Sequence, residues 1–577
     1  MLVCSAVTLV GLAALLWVLW NKDYFWQNPL NGAKVERLTD FEGDEVHASI
    51  SPDGKLVAFA SDREGHYDAW VTQIGSGEFV NVTKGQVGPI NPSPIRRIRF
   101  SHDSGRLWFL TGDQSTRPYQ GWLASVVGGN PHPFLNGGME VAWSFDGSQI
   151  VYHTDDPGDP MFVSDSNGSN ARRIYIEKPG GHCHQPIWSP DGRFIYFVKG
   201  IPNDELDIWR VRADGSSSIA ERITRHNARV RDPAWLDDRT LVYSATAEVR
   251  SGQWLYTLDI ERRIPHRVSS GVLEQYQSVA VSQTLPRRIV CTVARPAASL
   301  WKIPVSSRTE PEISARPVAV QNTRAFGPRF ARDDLLFLSS RDGLDGIWRW
   351  DGSSARELWR GSDGAVLAPP SVSPDGNRIC FSWRKQGRTY LSVMNANGAD
   401  RRMLAETLEV RSSPSWSPDG KTIAVAATEN EGTRIYIVPV DGGSPVRLVD
   451  TPSYDPVWSP DGRYIVYSEP LRGGLLALNA TTLERAPVKL PAMIVPYTTA
   501  TPYRFAPGKD ALILMKTVNF PFRNFYSMDL ATGRERQLTD LKPGYVIDSF
   551  DVSPDGRYIV FDRSRDNSDI VMFELRR

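Results

Sequence analysis

The stretch Pro186-Ile187-Trp188-Ser189-Pro190-Asp191-Gly192-Arg193-Phe194-Ile195-Tyr196-Phe197 decides the fold. Proline and aspartate preset a tight turn, and glycine supplies the permissive backbone that closes it. A short apolar strand enters the turn and a second apolar run leaves it, which reads as a β-hairpin. The same turn returns intact at Ser51-Pro52-Asp53-Gly54, Ser373-Pro374-Asp375-Gly376, Ser417-Pro418-Asp419-Gly420, Ser459-Pro460-Asp461-Gly462 and Ser553-Pro554-Asp555-Gly556. Degenerate copies at Ser101-His102-Asp103, Ser144-Phe145-Asp146-Gly147, Trp235-Leu236-Asp237-Asp238, Ser282-Gln283-Thr284, Ala331-Arg332-Asp333-Asp334 and Ala506-Pro507-Gly508 fill the gaps. Successive aspartate-equivalent positions lie 42 to 50 residues apart, the length of one propeller blade.

Each unit carries four strand signals. Runs such as Arg463-Tyr464-Ile465-Val466-Tyr467 alternate with the period of a half-buried strand. A third strand follows, as in Ile435-Tyr436-Ile437-Val438, and a turn such as Asp441-Gly442-Gly443 leads into a polar outer strand like Val446-Arg447-Leu448. Sheets that cannot cover their own apolar faces do so by stacking round an axis. The expected fold is all-β, with two consecutive six-bladed β-propellers of four-stranded antiparallel blades over 27–310 and 311–577. Tryptophans 143, 188, 235, 416 and 458 recur at one place in the first strand, as expected of side chains packed between neighbouring blades.

The final unit stops at its third strand, Val571-Met572-Phe573-Glu574-Leu575, which leaves an outer edge to cover. Lys34-Val35-Glu36-Arg37-Leu38-Thr39 precedes the first unit as an orphan outer strand, and Arg316-Pro317-Val318-Ala319-Val320 is its counterpart halfway along. The expected closure has the first orphan completing unit six and the second completing unit twelve. Pairing of Val35 with the last unit would reject it.

Leu2 to Trp20 carry no charge and are followed by Tyr24, Phe25 and Trp26, the pattern of a membrane helix with an aromatic interface belt. Residues 1–26 are therefore expected to form a single-pass transmembrane anchor. Lys+Arg at 66 balance Asp+Glu at 66, so the field that draws a protein to nucleic acid is missing and no nucleic-acid partner is expected. Cys4, Cys183, Cys291 and Cys380 form no CxxC pair and no disulfide framework.

The repeats, with outer strands ending Arg37-Leu38-Thr39 and Gln537-Leu538-Thr539, resemble the WD40-like PD40 repeats of the TolB β-propeller family. The segment from Phe25-Trp26 to Ser61-Asp62-Arg63 is similar to the junction in bacterial sensors that join a winged-helix or protein-kinase domain to an external propeller through one membrane helix. That resemblance implies a single-pass inner-membrane protein with its propellers in the periplasm.

No G-x-S-x-G elbow occurs, and Gly420-Lys421-Thr422 lacks the glycine a phosphate loop needs where Ser415 stands. Six residues before each aspartate-equivalent the chain enters the innermost strand and should face the central funnel. There the first six units place His47, Arg97, Glu140, Gln185, Asp232 and Ser278, and the last six Gly327, Pro369, Ser413, Asp455, Pro502 and Ser549. The polar set is the expected ligand-binding site. His182-Cys183-His184 is a weak metal candidate, its histidines converging only on an extended strand with Cys183 turned away. The expected function is a membrane-anchored, non-catalytic binding protein for a protein, peptide or envelope ligand, without cofactor. The alternative is a funnel-located enzyme, a lyase or hydrolase with a metal, using His47, Glu140, Asp232 or His184.

Overall fold

The computed structural model describes residues 26–576 except 42, 94–97, 113–118, 179–180, 202–204, 247–252, 270–273, 321–323, 342–343, 386–387, 430–431, 470–473, 487, 492–500 and 520–521. Its chain is a succession of mostly antiparallel sheets, with one short parallel pair, Glu310–Pro311 against Thr539–Asp540, and the Ser-Pro-Asp-Gly turn recurs between first and second strands. In the copy at Ser189, Oγ donates to Asp191 Oδ1 at 2.6 Å and accepts the Phe194 N–H at 2.9 Å. Asp191 Oδ1 also accepts the Arg193 N–H at 3.0 Å. Gly192 stands at φ +69°, a conformation that strains any side chain, which is why glycine ends the motif.

The hairpin grows into His182–Trp188, Phe194–Ile201, Glu205–Arg212 and Glu221–Arg222, paired in that order. Its predecessor consists of Gly138–Trp143, Gln149–Thr154, Met161–Asp165 and Arg172–Tyr175. Its successor is Val230–Trp235, Thr240–Ala245, Trp254–Asp259 and Pro265–Arg267. Apolar faces of neighbouring sheets meet to form the core, as where Ile187, Tyr196 and Ile208 pack with Trp235, Leu241 and Tyr243. Indoles stitch the same seams: Trp188 Nε1 donates to Ala142 O at 3.2 Å, Trp235 Nε1 to Trp188 O at 2.7 Å and Trp416 Nε1 to Ser371 O at 3.1 Å. The inner strands of the first half touch in a circuit, and Glu45–Ile50 of its first sheet lies against Gln275–Val281 of its last.

The two halves are joined by two long strands. Arg288–Pro304 and Tyr558–Glu574, 17 residues each, pair antiparallel over their whole length. In the first half they sit between Gln275–Val281 and Lys34–Arg37, and in the second between Phe550–Val552 and Arg316–Pro317. Val35 lies opposite Phe573, so the orphan strand completes the last unit's strand rather than that of unit six, and the expected closure fails in that form. Units six and twelve instead exchange their third strands. Across the junction Arg384 donates to Asn227 O at 2.8 Å and to Thr246 O at 2.9 Å.

Two parts of the expected fold class are corrected. The all-β, repeat-built character stands, but no sheet closes on itself into a propeller or barrel, and two separate consecutive six-bladed propellers are not what forms. One six-stranded sheet serves both halves, because a 17-residue strand is long enough to cross two blades. The expected anchor at Leu2–Trp20 lies outside the described residues, and among those described no helix is long and apolar enough to cross a membrane. The described helices are two three-residue 3-10 turns, at Glu312–Ser314 and Gly361–Asp363. The single-pass anchor, and the inner-membrane placement and membrane-anchored function that depend on it, have no helix among the described residues to rest on.

Candidate metal centre on the inner strands

Every first strand in the first half with a described funnel position bulges at that position. His47, Glu140, Gln185, Asp232 and Ser278 take φ of 62°, 55°, 56°, 63° and 55°. The bulge makes two residues oppose one on the partner strand and turns the side chain toward the next sheet. All five are buried, and Arg97 lies outside the described residues. Their side chains are engaged sheet to sheet. Glu140 Oε2 accepts the Gln185 N–H, Gln185 Oε1 accepts the Asp232 N–H at 2.7 Å, and Asp232 Oδ2 accepts the Ser278 N–H at 2.8 Å. His47 Nε2 contacts Asn91 O at 2.8 Å.

Glu140 has a second set of neighbours. Met139 pairs with His153, so the bulge sets the Glu140 carboxylate beside that imidazole, at 3.4 Å from Nε2. From the next sheet His184 Nδ1 approaches Glu140 Oε1, also at 3.4 Å. The other nitrogen of His184, Nε2, stands 3.9 Å from Asp159 Oδ2. That carboxylate bonds His182 Nδ1 at 2.9 Å and accepts the Cys183 N–H at 3.0 Å. The chain is extended at His182–His184, the two rings stack with centroids 5.7 Å apart, and Cys183 is buried in the sheet-to-sheet core. Two triads result, Glu140–His153–His184 and Asp159–His182–His184, with ligand atoms within 4.8 Å of one another in each. They lie on the two sides of the His184 ring.

In the first triad His153 Nε2 lies 3.4 Å from Glu140 Oε2 and His184 Nδ1 3.4 Å from Glu140 Oε1, each close to the ~3.3 Å between neighbouring ligands of a tetrahedral ion held at ~2.0–2.1 Å. Burial would raise the Glu140 carboxyl, but the charges and hydrogen bonds of His184 and His153 hold it well below the usual carboxylate range. Burial pushes His184 below 6.5 against the pull of Glu140, which favours the neutral imidazole that ligates metals. Burial works against Asp159 too, yet the His182 hydrogen bond and the charge of His184 bring it down to about 2. Asp159 then stands behind His184, 3.9 Å from Nε2, too far for a hydrogen bond but near enough to act on its charge.

The non-catalytic reading, with no catalytic or metal residue, is corrected by these triads. Of the expected funnel residues only Glu140 joins the histidines, together with the weak metal candidates His182 and His184. His47 and Asp232 are in neither triad, and Gln185 meets the first one only through its N–H on Glu140 Oε2. Sequence reasoning missed His153 and Asp159. His153 reads as one polar residue ending Ile150-Val151-Tyr152, and its meeting with Glu140 depends on the bulge register. Asp159 lies in an inter-strand loop, and nothing local ties it to a histidine on the next sheet.

A family model for PD40, the TolB β-propeller domain, matches residues 347–574. A protein TolB homolog from Chlorobium luteolum is 31% identical over 139 residues, 23% of this chain and 31% of that protein. An uncharacterized peptidase, YuxL, from Bacillus subtilis is 25% identical over 224 residues, 35% of this chain and 30% of that one. The chain thus spans under a third of the length of both curated relatives. A solved TolB structure from Agrobacterium tumefaciens covers 47% of this chain and 99% of its own at 19% identity, with a TM-score of 0.35.

Proposed function

The chain belongs to the TolB-like PD40 β-propeller family, and from that premise we propose that its first half holds a divalent transition-metal ion and carries out metal-dependent hydrolysis or elimination. The observation behind this reading is the meeting of Glu140, His153 and His184 from two neighbouring sheets, all buried, with Asp159 behind His184. Two imidazoles and a carboxylate suit zinc, manganese or iron better than calcium or magnesium. Bound there, such an ion would polarise a substrate oxygen or lower the pKa of water.

The protein's own contribution is positioning and proton handling. Asp159 holds the Nδ1 side of His182 at 2.9 Å, which turns Nε2 away from that carboxylate. The His182 side chain is 31% exposed, against 7% for His184, so it stands at the solvent side of the cluster as the general base.

Metal analysis tests the reading. After incubation with Zn²⁺ or Mn²⁺ and exhaustive dialysis the protein should retain about one equivalent of ion. His184→Ala should abolish retention and His132→Ala, at an exposed site, should leave it intact. Hydrolytic or eliminative turnover should cease with a chelator and return with the same ion. A wild-type chain that retains no ion would refute the proposal.

A further inference from the structure

His184 turns each nitrogen of one ring toward a different carboxylate. Nδ1 stands 3.4 Å from Glu140 Oε1, and Nε2 stands 3.9 Å from Asp159 Oδ2. The side chain is 7% exposed, and Nδ1 has no hydrogen-bond partner. A neutral imidazole carries one N–H, so it can donate toward one carboxylate only and turns a lone pair on the other. Among the described residues His184 alone belongs to both groups able to hold an ion.

Each side is equipped separately. Toward Glu140, His153 Nδ1 donates to Thr154 O at 3.1 Å, because a carbonyl only accepts, and its Nε2 keeps a lone pair 3.4 Å from Glu140 Oε2. That bond to the carbonyl is the support a ligating imidazole ordinarily has. Toward Asp159, the Cys183 N–H holds Oδ2 at 3.0 Å, with His182 Nδ1 at 2.9 Å from the same oxygen. His182 and His184 pair with Gly200 and Val198, two residues apart on one extended strand, so both rings leave it on the same face. Their planes are 16° apart. The two groups share His184 and no other residue.

We propose that the centre is binuclear: Asp159, His182 and His184 Nε2 hold a second divalent ion, and the His184 ring, as imidazolate, bridges it to the ion of Glu140, His153 and His184 Nδ1. This rests on the metal-centre reading above. Imidazole donors on both sides favour zinc or copper. Filling both sites releases the ring proton of His184 to solvent and replaces the hydrogen bond between His182 Nδ1 and Asp159 Oδ2 by bonds to the ion. With bonds of ~2.0–2.1 Å at each ring nitrogen the ions stand ~6 Å apart. The inner ion is enclosed by buried side chains, whereas the outer one meets solvent beside His182, 31% exposed, and is the one that exhaustive dialysis removes. In the two-ion form His182 is a ligand, and ion-bound water takes over as the base.

Titration with Cu²⁺, followed by electron paramagnetic resonance at liquid-helium temperature, tests the bridge. An isolated Cu²⁺ gives a spin signal, and an imidazolate between two of them pairs the spins. The wild-type signal should rise to about one spin per chain with the first equivalent and fall with the second. In His182→Ala, at a partly exposed side chain, the signal should keep rising to about two spins, because the second ion finds no bridged site. Wild-type signals that simply add over both equivalents overturn the bridge but leave the one-ion centre, which is read by ion retention in wild type and its loss in His184→Ala. Wild-type protein that binds no Cu²⁺ overturns both. A fall that persists in His182→Ala puts the coupled pair elsewhere and overturns the proposal.

Discussion

Gln185 and Asp232 hold each other across two neighbouring sheets: Gln185 Nε2 donates to Asp232 Oδ1 at 3.0 Å, and the Asp232 N–H donates to Gln185 Oε1 at 2.7 Å. Each residue is buried and each has positive φ, so the bulge that aims the side chain also exposes the N–H its neighbour satisfies. Asp232→Ala leaves the Ser278 N–H and the Gln185 amide without their acceptor. It should cost about 3 kcal/mol in urea unfolding. Asp232→Asn, which tolerates the left-handed backbone and keeps one acceptor, should cost less than half of that.

The indole of Trp235 separates packing from hydrogen bonding at the same seam. Trp235→Phe keeps most of the ring against Tyr196 but loses the bond to Trp188 O. It should lower stability by about 1 kcal/mol. Trp235→Ala opens a cavity in the sheet-to-sheet core and should cost about 3–5 kcal/mol. No loss for Trp235→Phe would show that the hydrogen bond contributes nothing, and equal losses for the two variants would show that the ring packing contributes nothing.

Lys34–Arg37 covers the outer edge of Tyr558–Glu574 in the first half. Deleting residues 34–37 bares that edge to pairing with a second chain. Size-exclusion chromatography should then show concentration-dependent association absent from the wild type. A deletion variant that stays monodisperse at high concentration would contradict the strand exchange.

Glu45 gives the pH dependence a sign. Burial pushes its carboxyl from 4.5 up to about 7, although Ser61 and Thr39 donate hydrogen bonds to it. Between these values the folded chain holds a proton that the unfolded chain has lost. Its contribution to stability is therefore fully present below 4.5 and falls away as pH rises to about 7. Glu45→Gln should flatten thermal stability across that window; an unchanged pH profile would place the proton elsewhere.

The repeat unit was legible because its parts are local. Ser189, Asp191 and Gly192 fix a turn through bonds spanning five residues, and Trp188 and Trp235 mark the seams by recurring at one register. The exchange of strands was not legible, since Arg288–Pro304 and Tyr558–Glu574 carry the same strand pattern and either half of each could pair at home. The centre was half legible. Glu140 stood out by its position in the unit, and His182 and His184 by their alternation. His153 and Asp159 join them only through a bulge and a sheet-to-sheet contact, both tertiary facts.

A metal centre built by two sheets round His184 is open to test by anomalous diffraction from crystals grown with Mn²⁺ or Zn²⁺. One strong peak is expected at about 2.0–2.2 Å from Glu140, His153 and His184 Nδ1, lost in His184→Ala crystals of the same form. Crystals that show ion peaks only at surface carboxylates, with the Glu140–His184 contact unchanged at 3.4 Å, would contradict it.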